Sequence, residues 1–240
     1  MGFGSTWILN YNPPCLLLPH ALTGLRSLKN HGVDAEAERM FVMGAETMSL
    51  PLSEKMQFEQ GDKGVSFGYK ASGANAVDEF GNRDTVEFIN VSQDDALAWP
   101  QTVHRTYPRT VVKRMDDTII PFVKKSRAVN MELLRVLEMK LGVPQGELSE
   151  KHSEELTSGS ETRCIKNPPR PPGEENRTAI GAHSDFGSLV GTTISHHVHL
   201  LNDTQSFLHN RLGGLQVMVP GTEEWQYVKV MFFKPGMFSV

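Results

Sequence analysis

Apolar residues recur at helical spacing in two stretches of this chain, and elsewhere they alternate or thin out. Between Asp34 and Leu50, the residues Met40, Phe41, Gly44, Ala45 and Met48 fall on one stripe of a helix, with Asp34 placed to cap it and Pro51 to close it. A second, short helix is expected from near Ser53. Residues 61–82 are rich in Gly, Ala, Ser and Asn without helical spacing and read as loops and short strands. Residues 84–91 alternate well enough for a strand. The longest periodic run extends from about Pro108 to Leu141, where Val111, Met115, Ile119, Phe122, Val123, Leu134 and Leu137 keep a helical rhythm. Pro108 suits its first turn, Gly142 its stop, and Pro121 is expected to kink its middle. The run Pro168-Pro169-Arg170-Pro171-Pro172-Gly173 marks an extended connection, and short strands are expected beyond it.

Composition narrows the setting. With 240 residues, 39% of them hydrophobic and 22% charged, the chain can bury one core of ordinary size. A net charge of -4 gives no basic patch and so no expectation of nucleic acid. No apolar run is long enough to span a bilayer, so no membrane association is expected. Two cysteines, Cys15 and Cys164, cannot build a disulfide framework, and a reducing, cytoplasmic compartment is the expectation. Cys164 reads as a packing residue and not a nucleophile. The adjacent acidic pairs Asp94-Asp95, Asp116-Asp117 and Glu154-Glu155 diverge in direction and read as solvated. His31 reads as structural.

The chemistry concentrates at His183 and Asp185. On an extended segment, an imidazole and a carboxylate two positions apart project to the same side. They supply two of the three ligands of a 2-His-1-carboxylate face, which leaves positions open on a non-haem Fe(II).

Three blocks extend this pair: Ala179-Ile180-Gly181-Ala182-His183-Ser184-Asp185-Phe186-Gly187-Ser188-Leu189, then Asn210-Arg211-Leu212-Gly213-Gly214-Leu215-Gln216-Val217, then Pro220-Gly221-Thr222-Glu223-Glu224-Trp225. Together with Asn30-His31-Gly32-Val33 and Gly64-Val65-Ser66-Phe67-Gly68-Tyr69, they resemble the isopenicillin N synthase-like family of Fe(II)- and 2-oxoglutarate-dependent oxygenases. The resemblance implies an α+β fold, a double-stranded β-helix (jelly roll) with an N-terminal helical layer. The order of helices first and strands later agrees with it. Residues 1–150 would form the N-terminal dioxygenase region and 151–240 a partial jelly-roll core with its final strands missing. The implied activity is oxidation of a small organic molecule, with Fe(II) as cofactor and 2-oxoglutarate as cosubstrate. His183 and Asp185 would hold the metal, and Arg163 would contact cosubstrate or substrate. Substrate and oligomeric state stay open.

The family's second metal histidine and its Arg-x-Ser carboxylate clamp are not found downstream of Asp185. The histidines there are His196, His197, His199 and His209. Residues 190–205 and 230–240 also depart from the pattern. Removing the first joins Leu189 to Ser206 in a family-like connection, and each departure begins with a valine, whose codon opens with the letters of a splice donor. Both are expected to be intron read in frame, which makes the cluster at 196–199 accidental. Two other readings remain: a truncated, non-catalytic relative that binds metal weakly or serves as an interaction module, and a different metal held by His183, Asp185 and a histidine of that cluster.

Overall fold

A computed structural model describes residues 2–8, 31–61, 66–168, 178–183, 187–195, 216–218, 222 and 224–227. Its described part is α+β, with helices packed on an antiparallel sheet. The strands are β1 (Gly2–Ile8), β2 (Gly68–Lys70), β3 (Glu87–Ser92), β4 (Glu161–Asn167) and β5 (Val190–Ser195), ordered β2-β3-β4-β1-β5. β6 (Gln216–Met218) and β7 (Trp225–Tyr227) form a separate antiparallel pair. β5 comes from the stretch that departs from the family pattern, and its partner β1 precedes the first family-like block.

Helix α1 (Asp34–Met48) lies on the sheet and buries Ala37, Met40, Phe41, Met43 and Met48. Register places Tyr69 opposite Ile89, and Ile89 opposite Cys164, so these three present one face to the helix. That face joins Met115, Ile119 and Phe122 in one core. The expected stripe on α1 is therefore the buried one, but its cap is not Asp34. The helix starts at Asp34, and Val33 in the cap position has no side-chain acceptor to offer it. His31 acts instead: its Nδ1 accepts from the Val33 N–H at 3.2 Å, and its Nε2 lies 3.5 Å from Asp34. Asp34 still sits in the first turn, where the helix dipole favours an anion.

The short second helix is α2 (Leu52–Lys55), entered at Pro51. The expected long helix is divided into α4 (Arg109–Val112), a π turn over Met115–Ile119 and α5 (Ile120–Leu141). Pro121 does not kink the middle of a helix. It occupies the first turn of α5, where a missing N–H costs little, and the irregularity lies just before it, in the Ile119 N–H to Arg114 carbonyl bond of 3.0 Å.

The Asp94-Asp95 pair is also corrected. Ser92 caps α3 (Gln93–Ala98), which draws both aspartates into its first turn. Asp95 is buried: it accepts from the N–H groups of Val103 and His104, both at 2.8 Å, and from the Tyr107 hydroxyl at 2.7 Å. Asp116, Asp117, Glu154 and Glu155 are exposed as expected. Cys164 is buried with its Sγ 3.4 Å from the Met40 carbonyl, and burial pushes its thiol up to about 12, so it is no nucleophile at neutral pH.

Candidate metal site

The site begins with the turn that joins β2 to β3. Lys70 ends β2 and forms a buried ion pair with Asp84, while its ammonium also donates to the Val86 carbonyl at 2.9 Å. Asp84 accepts from the N–H of Gly73 at 2.7 Å and of Asn75 at 3.3 Å, so few acceptor positions on this buried carboxylate lack a donor. The chain between them closes as a hairpin, with Asp84 N–H to Asn75 carbonyl at 3.0 Å and Val77 N–H to Asn82 carbonyl at 2.8 Å. Asp78 binds the tip by accepting from the Asn82 amide at 2.6 Å and from the N–H groups of Phe80 and Asn82. The Asn82 amide leads these bonds in holding the Asp78 carboxyl below its ordinary range.

The segment 178–183 rests on this hairpin. The Thr85 N–H donates to the Ala179 carbonyl at 3.0 Å, and a Cβ on Gly181 would stand only 3.3 Å from Val77 Cα. Ala179 and Ile180 form a bend, and no strand pairing is present over 178–183 where a strand was expected: the Ala179 carbonyl bonds to a loop N–H and not to a ladder. His183 is exposed, with Nδ1 2.8 Å from the Gly181 carbonyl. In the neutral ring Nδ1 then carries the proton and Nε2 the lone pair, the tautomer in which second-shell carbonyls hold metal-ligating histidines. Asp185 lies outside the described residues, as do His196, His197, His199 and His209. Among the described residues, no group of three or more His, Cys, Asp or Glu side chains is arranged to hold a metal.

Five residues past His183, Ser188 Oγ lies 3.1 Å from Nε2 of His152, a half-buried residue in the single turn Ser149–His152. Burial and the neighbouring Arg127 charge hold His152 below its ordinary pKa, so it is neutral at pH 7.

Arg163 lies on β4 opposite Asn90. Its guanidinium donates to Asn90 Oδ1 at 2.7 Å and to Glu161 Oε1 at 2.6 Å, and it stacks 4.4 Å above the Phe88 ring. A cosubstrate carboxylate would compete with Glu161 for it.

Sequence reading missed the charged cluster next to this strand. Glu87 takes Lys55 and the Tyr69 hydroxyl at 2.6 Å each, and Lys166 at 3.0 Å. Burial alone would raise the Glu87 carboxyl, but these three donors outweigh it and hold it low. No spacing in the sequence announces this cluster, since its members come from α2, β2, β3 and β4.

Residues 22–113 match the family described as non-haem dioxygenase in morphine synthesis N-terminal. The match covers well under half of the chain, from before α1 through α4, and it includes the hairpin on which the 178–183 segment rests. No curated protein and no solved structure matches. The N-terminal region is thus related to the non-haem dioxygenases, while His183 and Asp185 lie outside the matched residues.

Proposed function

We propose that this chain is an Fe(II)- and 2-oxoglutarate-dependent oxygenase of isopenicillin N synthase-like type that oxidises a small organic molecule. The observation that carries the reading is the dioxygenase match over 22–113, upstream of an H-x-D pair. The donors fit Fe(II) in kind. His183 offers an imidazole whose Nδ1 is engaged by the Gly181 carbonyl, and Asp185 is the carboxylate two residues on. Bound iron would supply the redox chemistry by which O₂ oxidises substrate as 2-oxoglutarate becomes succinate and CO₂.

The chain's own part is placement. The Lys70–Asp84 pair stiffens the hairpin, the hairpin seats the 178–183 segment, and the Gly181 carbonyl sets the His183 tautomer. The jelly-roll core belongs to the same reading, with β6 and β7 among its strands.

Purified protein supplied with Fe(II), 2-oxoglutarate and air tests the proposal through succinate formation. With the second histidine and the Arg-x-Ser clamp not found downstream of Asp185, the expected result is weak succinate formation above a protein-free control, lost in His183→Ala. No succinate above that control would favour the non-catalytic relative.

A further inference from the structure

We propose that His152 is a positioning residue for the His183 segment, a latch at its far end that complements the hairpin at its near end. The inference rests on the reading of His183 as a metal ligand. The near end is fixed by the Thr85–Ala179 hydrogen bond and by the close approach of Gly181 to Val77. At the far end, the His152 ring meets Ser188 Oγ at 3.1 Å, five residues past His183.

The latch is itself anchored. Arg127, in the first half of α5, donates through Nη2 to the His152 carbonyl at 2.9 Å, and through Nη1 it pairs with Glu154 at 2.9 Å. The backbone of His152 is therefore tied to the long helix, which limits where its ring can point. The chain of contacts runs from α5 through Arg127 and His152 to Ser188, so the helical layer holds the segment from a second direction. Burial and Arg127 together keep the ring neutral, so it meets the hydroxyl without carrying charge into the site. A loop held at both ends loses less freedom when a metal binds, and the ligand it carries binds correspondingly tighter.

Hydrogen exchange over peptides covering 178–189, paired with Co(II) titration of the full chain, tests the latch. His152→Ala is expected to speed exchange in those peptides while leaving α1 unchanged. It should also weaken Co(II) binding by about threefold to tenfold, the equivalent of one net hydrogen bond. His152→Gln, whose amide offers a donor or an acceptor near the Nε2 position, should restore both. Ser188→Ala, a change at an exposed residue, should reproduce the loss without adding to it in the double variant. Unchanged exchange over 178–189 in His152→Ala would overturn the latch alone. Equal Co(II) affinity in the parent and His183→Ala would overturn the metal reading beneath it, and with it the positioning role.

Discussion

Glu138 sits on the buried side of α5, and its carboxylate accepts the N–H groups of Gly146 at 3.1 Å, Leu148 at 2.8 Å and Ser149 at 2.7 Å. The Ser149 bond leads these in holding its pKa down, from an ordinary 4.5 to about 2. Because the folded state keeps this carboxylate ionised, its contribution to stability is present above about pH 4.5 and is lost as pH falls toward about 2. In Glu138→Gln, the drop in urea midpoint between about pH 5 and about pH 3 should be smaller than in the parent, and a drop of equal size would show that the three bonds do not hold the charge. Nothing in the sequence marks Glu138, which falls between Leu137 and Met139 near the end of an amphipathic run. Asp95 was hidden for a similar reason: an adjacent acidic pair looks solvated until a capping serine turns both side chains into a helix start. Cys164 was legible, because a lone small apolar side chain within an alternating segment has few other places to go.

At the scale of elements, the stop at Gly142 was legible, while the Asp34 cap and the Pro121 kink were not what the structure shows. Gly142 stops α5 as expected: it adopts φ 67°, its N–H reaches the Met139 carbonyl, and the Val143 N–H reaches the Glu138 carbonyl at 3.2 Å. This pair of bonds is a Schellman closure, and the left-handed backbone strains any residue with a Cβ. Gly142→Ala should cost about 1 kcal/mol, measured as a lower melting temperature with little change in helical circular dichroism. A variant that melts with the parent would mean that the end of α5 frays freely. The π turn over Met115–Ile119 escaped notice because it adds a single residue to the helical path, and Met115 and Ile119 remain buried on the same face. The expected strand over 84–91 survives as β3 from Glu87, its opening residues diverted to hold Lys70 and the Ala179 carbonyl.

At the scale of the whole molecule, sequence spacing picked out the His183–Asp185 pair, and comparison gave a dioxygenase relationship to a different part of the chain. The structure connects the two: the hairpin within the matched region carries the segment that includes His183. That connection was illegible in the sequence, because it is a contact between two irregular segments about a hundred residues apart and neither has a periodic pattern. The extended pairing expected of His183 with Asp185 reaches outside the described residues, since Asp185 lies there. Among the described residues, no helix is long and apolar enough to cross a membrane. The central claim is that this seat presents His183 to a metal. Anaerobic Fe(II) titration by calorimetry, comparing the parent with His183→Ala, tests it most directly. The account predicts one Fe(II) per chain, with affinity falling at least about tenfold when the imidazole is removed. Equal affinity in the two proteins, or no binding by either, would contradict it.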